Sequence, residues 1–282
     1  MSHDLLRNVT PVRPAAPYIG GKRQLASLLT VMIDAVPHRT YAEPFVGMGG
    51  VFLRRRRAPP CEVINDISGD VATFFRILQR HYQAFMDMLK WRLTSREEFA
   101  RLLATPPDTL TDLERAARFL YLQRAAFGGK VEGRSFGVSN GLPGRFDVVR
   151  LGSILDELHQ RLSGVIIERL PYTDFIARYD GPEVLFYLDP PYFGSEGDYG
   201  AGAFARSEFA RLATHLAAIK GRFILSINDV PETRALFSAF ECQEVDLVYT
   251  ISDGQPKAVR ELIFTSPGLP TPADRAPRLF DD

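Results

Sequence analysis

The segment from Thr40 to Asp66 constrains the fold of this chain more than any other part of the sequence. A short buried strand is predicted at 40–43, and it leads into the glycine-rich run FVGMGG. The next residues, VFLRRRR, have the pattern of a helix start, and a second short strand at 61–65 ends directly before Asp66. Strand, glycine turn, helix, strand and acid, in this order, are typical of a doubly wound sheet. We therefore predict an α/β fold.

The glycine turn also indicates a ligand. Gly47 and Gly49 allow the backbone to approach a bound molecule closely, and an acid such as Asp66 at the next strand end can accept hydrogen bonds from ribose hydroxyls. Phe52 stands where the dinucleotide pattern has its third glycine, which disfavours a pyrophosphate at the helix N-terminus. The spacing favours a nucleoside site, and the alternative is a glycine-rich turn with a solvated aspartate.

The alternation of strands and helices stops after Asp66 and returns later in the chain. Helical patterns fill 70–125, and a long loop or small hairpin rich in Gly, Ser, Asn and Arg is predicted at 128–146. Strands are predicted again at 164–168, 184–188, 222–227 and 261–264, with helices at 22–36 and 206–219. We therefore expect an α/β domain interrupted by a helical insertion, with boundaries at 1–68, 69–162 and 163–282.

The remaining segments bound the class of protein. The arm before Pro17 and the tail after Pro267 are Pro-rich and predicted to be loose, and arginines 54–57 are predicted to form a solvated helix end. Cys61 and Cys242 match no metal-ligand spacing and are too few for a disulfide framework. The chain has no apolar leader pattern and no run long enough for a spanning helix. We expect a cytoplasmic protein with no metal and no membrane partner.

A rigid acidic corner, YLDPPY at 187–192, follows the apolar strand pattern at 184–188. Pro190 and Pro191 fix φ and donate no amide hydrogen, so the carbonyl groups there can accept from a ligand. Asp189 adds a carboxylate acceptor, and the Tyr192 ring can lie across a planar base. Two acceptors at a fixed separation match an amine with two N–H donors. An isolated D-P-P is more often a turn with a capping aspartate, but beside a nucleoside turn it favours group transfer onto nitrogen.

The charge distribution indicates more than the total charge does. The chain has 34 basic and 34 acidic residues, and this balance alone suggests no polyanionic partner. Residues 115–150, however, hold seven arginine and lysine residues against two acids, together with several aromatic residues. Basic and aromatic side chains in one segment are typical of a nucleic-acid contact, and the alternative is a solvated basic face.

Five motifs in order resemble one enzyme family. They are YIGGK at 18–22, AEPFVGMGGVFL at 42–53, NDIS at 65–68, TDF at 173–175 and YLDPPY at 187–192. Over roughly residues 16–265 the chain resembles the Dam-type DNA N6-adenine methyltransferases, the alpha group of the D12 class. FLYLQRAAFGG at 119–129 and RSFGV at 134–138 are similar to parts of that family's target-recognition region. Residues 139–148 depart from the family pattern, so the resemblance does not imply a particular DNA sequence.

The resemblance implies a Rossmann-like methyltransferase sheet that binds S-adenosylmethionine, with an inserted, mainly helical target-recognition domain. The implied cofactor residues are Tyr18, Lys22, Glu43, Pro44, Phe45, Gly47, Gly49, Asp66, Ile67, Asp174, Phe175 and Asp189. Within this set we expect Lys22 to pair with the methionine carboxylate, Asp66 to bind the ribose hydroxyls and Asp174 to lie near the adenine.

The implied reaction is methyl transfer from S-adenosylmethionine to N6 of a flipped-out adenine in double-stranded DNA. The implied catalytic residues are Asp189, Pro190, Pro191 and Tyr192. The candidate DNA-binding residues are Arg124, Lys130, Arg134 and Arg145. We expect the enzyme to act as a monomer or weak dimer.

Three alternatives stay open at the level of sequence. Enzymes that methylate cytosine N4 or a glutamine amide use a similar corner, but they more often have Ser or Asn where this chain has Asp189. Methylation of structured RNA is compatible with the same motifs. A catalytically silent regulator that occupies DNA is a different class, and the intact YLDPPY argues against it.

Overall fold

The computed structural model describes residues 6–18, 22, 24–129, 131, 133–138, 141, 143–199, 204–250 and 256–269. Its strands are β1 (Arg7–Asn8), β2 (Thr40–Glu43), β3 (Arg57–Ala58), β4 (Cys61–Asn65), β5 (Ile166–Glu168), β6 (Val184–Leu188), β7 (Arg222–Asn228), β8 (Glu241–Thr250) and β9 (Pro256–Thr265). Its α-helices are α1 (Ala26–Ala35), α2 (Gly69–Arg80), α3 (Tyr82–Leu89), α4 (Arg96–Ala104), α5 (Asp112–Ala125), α6 (Val148–Arg161), α7 (Tyr172–Tyr179), α8 (Glu208–Ala218) and α9 (Pro231–Leu236).

Within these residues the main sheet has seven strands in the order β5-β4-β2-β6-β7-β9-β8. The strands from β5 to β7 in this order run parallel, whereas β9 pairs antiparallel with both of its neighbours, β7 and β8. The chain moves outward in one direction from β2 through β4 to β5 and later continues in the other direction from β6, so the strand order reverses between β2 and β6. Open α/β sheets bind ligands beside the carboxyl ends of the strands at such a reversal. The predicted Rossmann-like α/β fold is confirmed.

The sheet is covered on both faces because its strands alternate buried side chains between the two sides. On one face, Tyr41 and Tyr187 belong to a core cluster that continues into helices α1 to α6. On the other face, Phe186 and Leu188 pack in a second cluster with helices α7 and α8, to which Phe175 and Phe209 contribute. Complete burial of each such side chain contributes about 1.5–3 kcal/mol of favourable transfer free energy. This two-sided cover holds the strand ends rigidly in place.

The residues after the glycine turn do not form the predicted helix. A single 3-10 turn, Phe52–Arg54, is followed by β3, which pairs with β1 in a small antiparallel sheet. The prediction of a solvated arginine run is also wrong, because the Arg55 side chain is completely buried. Its guanidinium pairs with Glu62 at 2.8 Å and lies 3.8 Å from the centre of the Tyr41 ring. Burial of this ion pair and the pairing of β3 with β1 therefore decide the local structure here.

The Pro-rich N-terminal arm is ordered where it is described. Val12, Ala15 and Ala16 are buried in the first core cluster, so the prediction of a loose arm is wrong for this part. Of the tail after Pro267, only 267–269 are described, and Leu269 is buried. The rest of the tail lies outside the described residues.

Most other sequence predictions agree with the structure. The strands predicted at 40–43, 61–65 and 184–188 are confirmed with the same bounds, and the helical patterns in 70–125 are confirmed as α2 to α5. The strand predicted at 261–264 is the end of the longer β9, while β8, α6, α7 and α9 were not predicted. The three-part domain division stays a prediction. In the described part of the chain, no helix has the length and apolar character needed to cross a bilayer.

Candidate active site

The topology brings acidic and amide side chains together at one edge of the sheet. Glu43 ends β2, Asp66 follows β4, Asp189 follows β6 and Asn228 ends β7. Glu261 also lies at this edge, because β9 runs antiparallel and pairs Glu261 with Asn228. Acids spread over more than 200 residues of sequence therefore line one crevice beside the point where the strand order reverses.

Asp189 is held at the end of β6 by contacts with Lys22 and Ser226. Its Oδ1 lies 3.1 Å from Nζ of Lys22 and accepts a hydrogen bond from Oγ of Ser226 at 3.3 Å. Ser226 is completely buried and is bonded in turn to the Tyr187 hydroxyl at 2.8 Å. Burial raises the pKa of Asp189 to about 6, although the Lys22 charge opposes this shift, and the nearby Glu261 adds to it. The carboxylate is thus fixed in place, partly exposed and ionised at neutral pH.

The two prolines give the corner its second acceptor. Pro190 and Pro191 are both buried, so the backbone is rigid there as well as restricted in φ. Within the described part of the chain, no donor bonds the Pro190 carbonyl. The Asp189 carboxylate and this carbonyl are the pair of acceptors that the sequence predicts for an amine.

Lys22 lies at the centre of a buried polar cluster. Its Nζ donates to the Tyr192 hydroxyl at 2.6 Å and to Oε2 of Glu261 at 2.9 Å, in addition to its contact with Asp189. The Tyr192 hydroxyl in turn donates a short hydrogen bond to Oε1 of Glu261. An ammonium group has three hydrogens, and these three acceptors use all of them. These contacts place Lys22 at the Asp189 corner, and its pairing with a methionine carboxylate stays a prediction.

The glycine turn is packed against an aromatic ring. Gly47 has φ of +50° and Gly49 has φ of +76°, both in the left-handed region that favours glycine. A Cβ on Gly47 would lie 3.1 Å from the Tyr18 ring, so Tyr18 covers the turn closely. The Gly47 amide donates to Oδ2 of Asp66 at 2.9 Å, and the Ser68 amide donates to its Oδ1 at 2.8 Å. The predicted glycine turn and its acid therefore form one unit.

Burial also raises the pKa values of two other acids at this edge. Burial raises the pKa of Asp66 to about 6, although hydrogen bonds from the Ser68 and Gly47 amides oppose the shift. Burial also raises the pKa of Glu43 to about 8, and the negative charge of Asp189 contributes. Glu43 accepts a hydrogen bond from the Tyr41 hydroxyl at 2.6 Å. At neutral pH Glu43 is therefore mostly neutral, whereas Asp66 is mostly ionised.

The other cofactor candidates occupy different surroundings. The Pro44 carbonyl accepts from the Asn65 amide at 2.9 Å, and Phe45 packs 5.5 Å from the Tyr172 ring. The side chain of Ile67 is 43% exposed beside Asp66. Two neighbours on α7 differ, because Asp174 is exposed whereas Phe175 is completely buried in the second core cluster. Phe175 can contribute to a cofactor site only through its backbone.

These residues fit the cofactor that the resemblance implies. A sulfonium cation suits an edge lined by carboxylates, since opposite charges attract strongly where water is partly excluded. Asp66 and the exposed apolar side chain of Ile67 suit the ribose and the base of a nucleoside. Gly47 has no side chain, and a Cβ at this position would lie only 3.1 Å from the Tyr18 ring. The turn therefore presents its backbone, and not a side chain, to a ligand.

The candidate DNA-binding residues are more buried than the sequence suggested. Arg124 donates to the Ala15 carbonyl at 3.1 Å, and its Nε is buried with no partner among the described residues. This contact with the backbone of the N-terminal arm does not favour a DNA contact by Arg124, which stays a prediction. Arg134 donates to the Gln123 side chain at 3.1 Å. Lys130 lies outside the described residues.

Arg145 braces the loop that carries it. Its guanidinium donates to the Ala126 carbonyl at 3.1 Å and lies 5.4 Å from the centre of the Phe127 ring. A Cβ on Gly137 would come within 2.8 Å of this guanidinium, so the loop closes around it. The Phe127 side chain is 45% exposed, which leaves one face of this pair open to a partner.

Three functional candidates were missed by the sequence analysis. Ser226 and Asn228 lie on β7, and Glu261 lies on β9. Asn228 donates to and accepts from the Phe193 backbone, at 3.0 and 2.9 Å, and so fixes the loop after the corner. The available signal was a polar residue in an otherwise apolar strand, since Glu is almost never fully buried without a partner. RELIF around Glu261 has that pattern.

Comparisons with known proteins point to one enzyme family. A family model described as D12 class N6 adenine-specific DNA methyltransferase matches residues 18–251. The Type II methyltransferase M.CviBI of Paramecium bursaria Chlorella virus NC1A is 24% identical over 242 residues, which cover 84% of this chain and 91% of that protein. The Type II methyltransferase M1.LlaDCHI of Lactococcus lactis subsp. cremoris is 25% identical over 286 residues, covering 94% and 99%.

Solved structures resemble the chain more distantly. Precorrin 8W decarboxylase of Methanobacterium thermoautotrophicum aligns with 92% of this chain and 100% of its own, at 11% identity and a TM-score of 0.39. That likeness is too distant to support a conclusion about function.

Proposed function

The chain belongs to the D12 class N6 adenine-specific DNA methyltransferase family, and from this premise we propose that it transfers a methyl group from S-adenosylmethionine to N6 of an adenine in double-stranded DNA. The observation that carries the proposal is the corner at Asp189. There a carboxylate and the Pro190 carbonyl lie next to a nucleoside-type glycine turn, at the reversal point of the sheet. This combination provides two acceptors for an amine beside a site for a nucleoside cofactor.

The cofactor would supply a methyl carbon that is already electrophilic, because it is bonded to a positively charged sulfur. We propose that Tyr18, Gly47 and Asp66 hold the adenosine part of the cofactor, with Ile67 and Asp174 near its adenine base. Glu43, which is mostly neutral at pH 7, can remain buried at this edge without repelling Asp189 strongly. Methyl transfer would form the bond between N6 and this carbon, leave the carbon–sulfur electron pair on sulfur, and release one proton from N6.

Asp189 and Pro190 prepare the amine for attack. The N6 lone pair of adenine is delocalised into the ring, so the amine is a weak nucleophile. Acceptance of its two hydrogens by the Asp189 carboxylate and the Pro190 carbonyl favours a more pyramidal nitrogen and stabilises the positive charge that develops on it. The proton lost from N6 passes through the carboxylate to water. The effect of these acceptors is mainly electrostatic and orienting.

Tyr192 is suited to hold the base outside the helix. N6 inside a duplex cannot reach the corner, so the adenine must flip out, which costs a few kcal/mol. Stacking of a base on an aromatic ring is worth about 1–3 kcal/mol and offsets part of this cost. The hydroxyl of Tyr192 is bonded to Lys22 and Glu261, which fixes the direction of the ring before DNA binds.

The basic loop around Arg134 and Arg145 is the part of the chain that we propose to contact DNA. Half or more of protein–DNA hydrogen bonds go to phosphate and sugar, so most such contacts position the duplex rather than read it. The exposed face of Phe127 beside Arg145 is available to the same partner. The monomeric or weakly dimeric state remains a prediction.

A methyl-transfer assay with labelled cofactor tests the proposal. The protein is incubated with duplex DNA, with structured RNA and with a protein extract, and the products are digested and separated. We expect label in N6-methyladenine from DNA. Label in N4-methylcytosine, in RNA or in protein glutamine would replace the proposed substrate, and absence of label from every substrate would favour a silent regulator.

A further inference from the structure

We propose that Glu261 is a positioning residue for methyl transfer, which shares the charge of Lys22 with Asp189 and fixes the Tyr192 ring. This inference rests on the proposed function, because it assigns a task within the same site. Glu261 does not belong to any of the motifs that carry the family resemblance. Its place follows from the antiparallel pairing of β9 with β7.

The burial of Glu261 requires an explanation. Its side chain is completely buried, while the neighbouring Arg260 on the same strand is exposed. Removal of a carboxylate from water is costly unless the charge is paired and its oxygens are hydrogen-bonded. Lys22 at 2.9 Å supplies the opposite charge, and the Tyr192 hydroxyl bonds the second oxygen. A buried acid that pairs with Lys22 and Tyr192 at the Asp189 corner is more than a general element of the core.

Three side chains form a closed hydrogen-bonded triangle. Lys22 donates to both Tyr192 and Glu261, and Tyr192 donates to Glu261. In this triangle no side chain can rotate without breaking two hydrogen bonds. The Tyr192 ring, whose centre lies 4.2 Å from Nζ of Lys22, is thereby held in one orientation. Orientation of a stacking ring before the base arrives reduces the entropy lost on binding.

The hydrogen-bonded triangle of Lys22, Tyr192 and Glu261 also controls how strongly Asp189 accepts a hydrogen bond. The ammonium of Lys22 lies between two carboxylates, at 3.1 Å from Asp189 and 2.9 Å from Glu261. If Glu261 lost its charge, Lys22 would compensate Asp189 alone, and that carboxylate would attract the adenine amine less strongly. Division of one positive charge between two acids therefore keeps Asp189 fixed and still strongly accepting.

The other polar groups around Asp189 do not replace this effect. Ser226 donates to the same Oδ1 at 3.3 Å, while Glu43 and Tyr187 lie close enough to influence the corner electrostatically. Ser226 and Tyr187 are uncharged at neutral pH, and Glu43 is mostly so. Lys22 and Glu261 are thus the charged partners that decide the strength of Asp189 as an acceptor.

The test compares Glu261→Gln with Glu62→Gln in the full-length protein. Glu62 is a matched control, because it is also a buried carboxylate on a strand of the sheet and also pairs with cations, Arg55 and Arg161. Single-turnover methyl transfer to duplex DNA is measured at saturating cofactor and DNA across pH 5–9. Dissociation constants for cofactor and DNA, and thermal unfolding, are measured for the same variants.

We expect Glu261→Gln to lower the single-turnover rate by about a hundredfold, the size of effect seen when one preorganised electrostatic group is removed. Cofactor affinity should change less than threefold, and the acid limb of the rate profile should move to lower pH, because a negative charge near Asp189 is lost. Glu62→Gln should lower the unfolding temperature but leave the rate and its pH profile unchanged in the folded protein.

Tyr192→Phe and the double variant with Glu261→Gln test the same contacts. If Glu261→Gln does not fold, Tyr192→Phe, which keeps the ring and removes only its hydroxyl, serves as the second variant, and a wild-type rate for it would overturn the inference. If both single variants fold, the double variant with Glu261→Gln and Tyr192→Phe should be little slower than Glu261→Gln alone. Both changes break the same hydrogen-bonded triangle, so their effects should not add. A Glu261→Gln rate close to that of Glu62→Gln also overturns the inference. Absence of DNA methylation by the wild type would instead refute the proposed function.

Discussion

The ammonium nitrogen of Lys22 lies 3.1 Å from Oδ1 of Asp189, which joins the N-terminal segment to the rigid corner after β6. Lys22 is almost completely buried, so this contact forms in surroundings where charges interact strongly. The contact explains how a carboxylate can be partly withdrawn from water and still remain ionised at neutral pH. It also makes the corner sensitive to any change in the charges around it.

Asp189→Asn should abolish most methyl transfer. The amide retains the shape of the side chain but presents a donor where the adenine amine needs an acceptor, and loss of such a group lowers kcat by about a hundredfold to a thousandfold. Binding of the cofactor, measured by calorimetry, should stay within a few-fold of wild type. Turnover near the wild-type rate would contradict the assignment of Asp189.

The methylation rate should fall on acidification with a midpoint near pH 6. The pKa of Asp189 is raised to about 6, mainly by burial, so the carboxylate gains a proton as the pH falls through this value and accepts less well. Above pH 6 the group is ionised, and the rate should reach a plateau on this side. Single-turnover rates from pH 5 to pH 8 check the prediction, and a flat profile over that range would refute it.

Glu43→Gln should make the protein more stable at alkaline pH. The pKa of Glu43 is raised from 4.5 to about 8 by burial, so the folded state holds a proton that the unfolded state releases. The resulting stability penalty grows as pH rises from about 4.5 to about 8 and is complete above that. Glutamine has no proton to lose and can still accept from Tyr41. Urea unfolding at pH 5 and pH 9 should show the gain only at the higher pH.

Gly47→Ala should weaken cofactor binding more than a comparable change elsewhere. Alanine in the left-handed region costs about 1–2 kcal/mol, and at position 47 its Cβ would also press on the Tyr18 ring at 3.1 Å. Gly164→Ala is the control, because Gly164 has φ of +76° but no neighbouring atom within 4 Å. We expect at least a tenfold loss of cofactor affinity for the first variant only. Equal losses would remove Tyr18 and Gly47 from the proposed site.

Arg145→Ala should reduce the salt dependence of DNA binding. If its guanidinium contacts one phosphate, the slope of log affinity against log salt should decrease by about 0.9. Arg124→Ala is the matched control, since that side chain is directed at the Ala15 carbonyl inside the protein. Its slope should stay at the wild-type value. An unchanged slope for Arg145→Ala would mean that this residue braces the loop without touching the DNA.

The sequence was sufficient for the parts of the site that depend on local chemistry. Gly47 and Gly49 adopt conformations that favour glycine, and Asp66 is bonded to the turn as an acid at that spacing can be. The strands at 40–43 and 184–188 were predictable because short apolar runs next to turn residues have few alternatives. Local signals thus located both the glycine turn with its acid and the rigid corner at Asp189.

Local signals failed where a distant partner decided the outcome. The VFLRRRR segment has the pattern of a helix start, but Arg57 pairs with the N-terminal strand β1, and Glu62, the partner of Arg55, is held by Arg161. Arg124 was expected on a DNA-binding surface, yet it is directed at Ala15. In each case the free energy of pairing with a group far away in the sequence exceeds the weak local preference.

The sequence by itself determined that acids and glycines stand at the ends of predicted strands, because residue type and spacing fix those features. Only the tertiary structure decided that β9 runs antiparallel beside β7 and places Glu261 against Lys22 and Tyr192. The physical reason is that a buried charge is stable only with its partner, and the choice of partner depends on strand order rather than on neighbouring residues.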